Sequence, residues 1–196
     1  MRFLALAGAI LIAAAAVGLL LAFRGGGSGG AATGVDGSCV RQTFPPMGRQ
    51  HVNSVRSGFQ YNSFPPTSGP HYGVPAVYNL YDQPVPEIRL VHNLEHGAVV
   101  LQYGSKVPQQ TVQQIAAWYS KDPLGLVVAP LPPVSEINAK PPAGYESKIF
   151  LTAWTHVATC TAFDEGALDR FRDDFRGPNG DGPEKFPLSA LQPGGT

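Results

Sequence analysis

Cysteine is nearly absent from this chain of 196 residues: it has two, Cys39 and Cys160, and neither belongs to a CxxC pair. A cysteine-built zinc knuckle and a CxxC redox motif are thereby excluded. Charge is sparse too, with 14 basic against 14 acidic residues, a formal net charge of zero and no basic stripe. Nucleic acid is not an expected partner of such a surface. Also missing are a GxSxG nucleophile elbow, an internal repeat, and a phosphate-cradling glycine loop. The glycine run at residues 25–30 has no strand before it and no helix after it, and reads as linker. What is plentiful is glycine (23) and proline (19), the composition of loops and short strands rather than of a helical bundle.

There is one long apolar run. Residues 3–23 carry no charge and are bracketed by Arg2 and Arg24. At about 1.5 Å per residue a helix of that length crosses the roughly 30 Å hydrocarbon core of a bilayer. The competing reading is a cleaved signal peptide, whose apolar region is normally about 7–15 residues. Here the run continues well past the small residues at 13–16. The reading adopted is an uncleaved single-pass transmembrane anchor over residues 1–24, with cleavage left open. The default orientation of such an anchor, N-terminus inside, puts the remainder on the extracytoplasmic side of the cell membrane, although the flanking charges favour it only slightly. Residues 25–37 are then a flexible Gly-rich linker, 38–188 a single domain, and 189–196 a flexible tail. An exported domain would hold Cys39 and Cys160 as a disulfide. The alternatives are two unpaired buried thiols or, for Cys160, metal ligation.

Within the domain, residues 38–83 are almost all turn formers and aromatics, and read as an extended, wrapped segment with little regular structure. Residues 88–92 and 98–103 are β-branched runs expected as strands joined through 93–97. Residues 108–121 place Val112, Ile115, Ala116 and Tyr119 at helical spacing, and strands are expected again at 126–129 and 148–155. Asp164 suits the N-cap of a last helix with Leu168, Phe171 and Phe175 on one face. The fold class is α+β: a mostly antiparallel sheet with two helices on one face, preceded by a long irregular wrapped segment.

Against this background the histidines stand out. Four of the five, His51, His71, His92 and His96, fall in the first half of the domain, and Glu95 lies between the last two. Imidazoles drawn from separated segments, with a carboxylate, are how many copper, zinc and iron sites are assembled. The proline- and glycine-rich run before His71 is stiff, which lowers the entropy cost of presenting a ligand. His92, Glu95 and His96 formally match HxxEH, the pattern of inverted zinc peptidases, but a β-branched run before it and Gly97 directly after leave room for little more than one helical turn. The motif is therefore placed on a tight connection between strands. Glu95 is a candidate ligand, a hydrogen-bond acceptor for an imidazole, or a general base. Met47 and His156 are read as packing residues, with smaller claims as ligands.

Two stretches resemble a known family. Residues 61–72, YNSFPPTSGPHY, and 92–97, HNLEHG, are similar to motifs of the domain of unknown function 3105 family, a bacterial family common in actinobacteria with an N-terminal membrane segment and a linker. The resemblance runs from about His51 to the region of Trp154. It implies that His71, His92, Glu95 and His96 matter and leaves the reaction open. The functional expectation is a membrane-tethered domain that binds a transition metal ion, copper or zinc, for metal handling or a metal-dependent reaction. The alternative is a non-enzymatic envelope interaction module in which the histidines brace the wrapped segment. Metal identity, substrate and protein partners are not legible in the sequence.

Overall fold

The computed structural model describes residues 31–196, so the expected anchor and the first half of the Gly-rich linker lie outside the described residues. Among those described, no helix is long and apolar enough to cross a membrane. A single six-stranded sheet organises the chain. In sequence order the elements are β1 (Ala31–Asp36), β2 (Cys39–Thr43), α1 (Glu87–Glu95), β3 (Val99–Tyr103), α2 (Gln109–Lys121), β4 (Leu126–Pro130), β5 (Ile149–Ala153), β6 (His156–Cys160) and α3 (Glu165–Phe175). The strand order across the sheet is β1-β2-β6-β5-β3-β4. β3 and β4 are parallel and connected through α2, while every other neighbouring pair is antiparallel. The protein is α+β with a mostly antiparallel sheet.

Strand alternation divides the core into two layers. Val99, Leu101, Leu126, Val128, Ile149 and Leu151 pack with Ile115 and Trp118 of α2 and Leu168 and Phe171 of α3, so these two helices share one face. The intervening residues point the other way. Val100, Val127 and Ala129 meet Leu90 and Leu94 of α1, and Phe150 and Val157 meet Phe44, Tyr61 and Phe64 of the wrapped segment. On the first face the Trp118 indole donates to Asp169 and so locks α2 to α3. The N-cap expected of Asp164 is present, its carboxylate accepting from the backbone N–H of Ala167.

Four stretches differ from the sequence reading. Residues 88–92, expected as a strand, belong to α1. Leu90, Val91 and Leu94 are completely buried at helical spacing, and this tertiary burial outweighs the mild β preference of Ile88 and Val91. The helix ends where Gly97 takes φ +93°. That conformation is cheap only for glycine, and a Cβ there would stand 3.0 Å from the Gly177 carbonyl oxygen. Residues 148–155, expected as one strand, are β5 followed by a turn at Trp154–Thr155 that returns the chain as β6. A Trp-Thr turn carries none of the Asn-Gly signals by which hairpins are recognised. Residues 31–36, assigned to the linker, pair with β2 as an edge strand. The C-terminal residues, expected to be loose, are docked: Leu191 is fully buried, its carbonyl accepts from Gly125, and Tyr78 exchanges backbone bonds with Gly194 and Gly195.

Cys39 and Cys160 face each other across β2 and β6 and form a disulfide spanning 121 residues of sequence. On the chain-entropy model, closing a loop of that size removes about 4–5 kcal/mol from the unfolded state. Reduction is therefore expected to lower the denaturant midpoint by the equivalent of about 2–4 kcal/mol. Guanidinium unfolding with and without reductant measures this; an unchanged midpoint would show that the sheet does not depend on the bridge.

Glu87, in the first turn of α1, is buried with Gln102 donating to its Oε1 at 2.7 Å, and burial raises its pKa to about 7. Because the folded-state value lies above the unfolded one, the protonated carboxyl contributes stability that is complete below about 4.5 and lost as pH rises through 7. Glu87→Gln keeps the acceptor and removes the charge. The variant should be more stable than wild type at pH 8.5 by on the order of 1–3 kcal/mol, with the gain vanishing toward pH 4.5. Unfolding curves at the two pH values check this, and a pH-independent difference would contradict it.

Candidate metal centre

The wrapped segment is ordered by its own polar side chains, and that order places two of the histidines. Ser63, Thr67 and Ser68 are buried and bonded: Ser63 to Thr67 at 2.9 Å, and the Ser68 hydroxyl accepting from the Met47 N–H. The Tyr61 hydroxyl donates to the Pro70 carbonyl. The β5–β6 turn holds the same loop from below, with Thr155 N–H donating to the Thr67 carbonyl. Residues 48–52 then run alongside 69–71. Gly69 donates to Gly48, His71 to Gln50 and Val52 to His71, a short parallel bridge that sets His51 beside His71. The chain continues to α1 through Tyr72, whose N–H donates to the Ile88 carbonyl. Asn93 grips the loop at Ala76 by a pair of hydrogen bonds.

The result is a cluster of imidazoles. One donor nitrogen from each of His51, His71 and His92 lies within 4.8 Å of the others. The His51 ring stacks on His92 at 4.8 Å and meets His71 edge-on at 4.9 Å. His71 and His92 are buried, while the side chain of His51 is 52% exposed and forms the open side. Two of the rings have their tautomer set by the backbone. His71 Nδ1 is 2.8 Å from the Gly69 carbonyl and His92 Nδ1 is 2.7 Å from the Tyr72 carbonyl. A carbonyl only accepts, so both Nδ1 atoms carry a proton, and the Nε2 atoms are turned the other way, that of His71 to Glu95 Oε2 at 2.8 Å and that of His92 to His96 Nε2 at 3.0 Å. Backbone-oriented imidazoles of this kind are what metal sites use.

Glu95 enters from α1. Its Oε2 is 2.8 Å from His71 Nε2 and 3.5 Å from His51 Nε2, and Arg49 lies 3.8 Å from its other oxygen. His96, the C-cap of α1, places Nε2 3.0 Å from His92 Nε2. It contacts this one imidazole of the triad, and its Nδ1 is buried without a partner. The helix spacing explains the geometry: positions i and i+4 share one side, so His92 and His96 meet, and the turn of α1 that sequence reading replaced by a tight strand connection aligns them. Burial lowers the pKa of His71, against the opposing pull of the Gly69 carbonyl and Glu95. It lowers that of His96 as well, there reinforced by the neighbouring His92. Neutral imidazoles are the ligating form.

Met47 stays outside this cluster. It packs with the Phe44–Phe64 group, and its sulfur accepts from Asn62 N–H. His156 is also apart, bonded to Thr43 and Asp181 and stacked on Phe175 at 4.1 Å. Cys160 is committed to the disulfide. Two residues absent from the sequence reading reach the cluster: Arg49, 3.8 Å from Glu95, and, from farther along the chain, Glu184, whose Oε2 is 3.2 Å from His96 Nε2. It arrives on the C-terminal arm, where Glu184 N–H donates to the Glu95 carbonyl and Phe186 stacks on His96 at 4.3 Å. No local pattern announces it, because it stands in a Gly/Pro-rich stretch far along the chain from the other members.

Comparison with known proteins agrees with these limits. No curated protein and no solved structure matches the chain. The family model described as a protein of unknown function (DUF3105) matches residues 51–187, an interval that opens at His51, contains the four clustered histidines and Glu95, and extends through the arm that carries Glu184. With more than half of its length matched, the chain belongs to the DUF3105 family.

Proposed function

We propose that this protein binds a transition metal ion, copper or zinc, at the histidine cluster, and presents it on the extracytoplasmic side of a membrane to which residues 1–24 tether it. The observation that carries the metal reading is the convergence of His51, His71 and His92 within 4.8 Å. Two of the three imidazoles are oriented by backbone carbonyls at Nδ1. Glu95 supplies a carboxylate beside His71 and His51. Imidazole and carboxylate together suit zinc or copper rather than calcium or magnesium, which take oxygen ligands. His51 is the exposed member, so the ion is reached from its side and an exogenous ligand enters there. That open edge fits metal handling or a metal-dependent reaction, in which Glu95 is the group placed to accept a proton. Bracing of the wrapped segment by histidine accompanies this reading: the Nδ1 atoms of His71 and His92 bond to backbone carbonyls, and a bound ion would take the place of the proton between His71 Nε2 and Glu95.

Full-length protein purified without a histidine tag is expected to contain copper or zinc by elemental analysis. Replacing His51, His71 and His92 together by alanine should abolish uptake; stoichiometric metal in the folded triple variant would place the site elsewhere.

The tether rests on the uncharged run of residues 3–23 and its two flanking arginines. Carbonate washing of membranes should leave the protein in the pellet, and a reporter fused after Thr196 should be active only outside the cytoplasm. Release by carbonate, or cytoplasmic reporter activity, would contradict this placement.

A further inference from the structure

Four arginines among the described residues are half-buried: Arg41, Arg89, Arg172 and Arg176. Three of them meet a carboxylate, Arg41 at Asp36, Arg172 at Asp169 and Arg176 at Asp122. Arg89 is held instead over the Tyr72 ring at 4.7 Å, with Nη1 3.3 Å from the Val74 carbonyl. Among the described residues no carboxylate pairs with it, and its Nε and Nη2 donate no hydrogen bond within the protein. A cation partly withdrawn from water is normally compensated by an anion, and this fixed guanidinium lacks one. Arg89 also lines a cleft of about 420 Å³, formed with residues 74–77 and 83–86. That volume falls within the roughly 300–1,000 Å³ of small-molecule sites. Val74, Ala76, Val77, Tyr81 and Val85 make the lining predominantly apolar, and Arg89 is its one charged side chain, beside the polar Gln83 and Thr196. The walls are fixed. Asn93 bonds both the N–H and the carbonyl of Ala76, and the Tyr81 hydroxyl donates to the Val77 carbonyl. These bonds occupy backbone polar groups of the wall and leave its apolar surface to the cleft. Val74 remains 48% exposed, an apolar side chain without a cover.

We propose that this cleft binds a small organic carboxylate with an apolar body, the Arg89 guanidinium pairing with the carboxylate and the valine- and proline-lined walls covering the rest. Charge complementarity selects this occupant. A neutral apolar ligand would leave Arg89 uncompensated, and a doubly charged phosphate ester would meet a single cation in an apolar wall. A carboxylate matches the planar fork of a guanidinium, and stacking on Tyr72 holds that plane in advance, so little side-chain freedom is lost on binding. The site is separate from the histidine cluster, none of whose members lines it. It nevertheless borders the cluster. Gly73, next in sequence to Val74, lies where a Cβ would stand 3.8 Å from the His51 ring, and Tyr72, which carries Arg89, orients His92 through its carbonyl. The binding of a carboxylate in the cleft does not depend on a bound metal.

The test compares phenylacetate with its neutral amide, phenylacetamide, on the full-length chain in phosphatidylcholine nanodiscs, with EDTA present and empty nanodiscs as the blank. Saturation-transfer NMR titrations give the affinity of each. Wild type should bind phenylacetate with a Kd of about 1 mM or lower. It should prefer the carboxylate to the amide by on the order of tenfold, the effect of a charge-assisted bond. Arg89→Gln should bind both alike, with the wild-type affinity for the amide. No binding to wild type beyond the blank, equal affinities in wild type, or an undiminished preference in Arg89→Gln overturns the proposal. If Arg89→Gln does not fold, Val74→Glu serves in its place, since it puts a carboxylate on the residue whose carbonyl Arg89 already contacts. That variant should bind phenylacetate more weakly by on the order of tenfold, and an unchanged affinity overturns the site. Replacing EDTA by zinc separates the cleft from the metal centre. An unchanged wild-type affinity keeps the ligand in the cleft, whereas binding that requires zinc puts it on the metal and overturns the cleft site.

Discussion

The contact between His71 and Glu95 is the joint on which this domain turns. One partner belongs to a loop without regular structure and the other to the helix packed on the sheet, and both side chains are almost completely removed from solvent. A buried carboxylate is tolerated only where hydrogen bonds or opposite charge compensate its lost hydration. Here the compensation comes from outside the helix, so the loop must be in place for α1 to carry Glu95. The dependence is mutual. The His71 ring is held by the Gly69 carbonyl behind it, packs edge-on against Trp154, and is kept on the sheet by the bond from Thr155 to Thr67.

The same helix holds a second buried carboxylate under different rules. Glu87 faces an uncharged amide and meets its burial by taking up a proton near neutral pH, whereas Glu95 lies among imidazoles with Arg49 beyond them. Two turns of one helix therefore separate a structural acid from a ligand-like one, and the difference is made by what the sheet and the loop place opposite each. Asn93 adds to this by fixing α1 to Ala76, so that the helix can neither rotate nor slide without breaking a pair of buried hydrogen bonds. A site assembled this way is preorganised by backbone carbonyls and by packing rather than by flexible surface side chains.

Three features were legible in the sequence for physical reasons. Amphipathic spacing located α2 and α3, whose apolar faces are broad and continuous. β-branched runs bounded by turn formers located β3, β4 and β5. The histidine pattern was legible as a cluster by residue type and spacing, and the fold brings His51, His71 and His92 together within 4.8 Å. What was not legible depended on partners distant in the chain. Helix α1 is short, begins at a proline without a side-chain cap, and owes its form to burial of Leu90, Val91 and Leu94. β6 follows a turn without glycine or asparagine, and β1 is composed of residues that by themselves resemble linker.

The cluster shows the division most clearly. Residue identity alone nominated His51, His71, His92, His96 and Glu95, since coordination chemistry is a property of side-chain type, and the pairing of Cys39 with Cys160 was limited to one possibility by their number. Tertiary structure alone decided that His51 lies beside His71, through a two-segment bridge no local pattern encodes, and that His96 faces His92 rather than the centre of the triad. It also brought in Glu184 from the C-terminal arm, 88 residues beyond His96 in sequence (184 − 96) yet in contact with it. Hydrogen-bond direction and the side from which a ligand can enter are set by backbone carbonyls and by burial, and these exist only once the chain is folded.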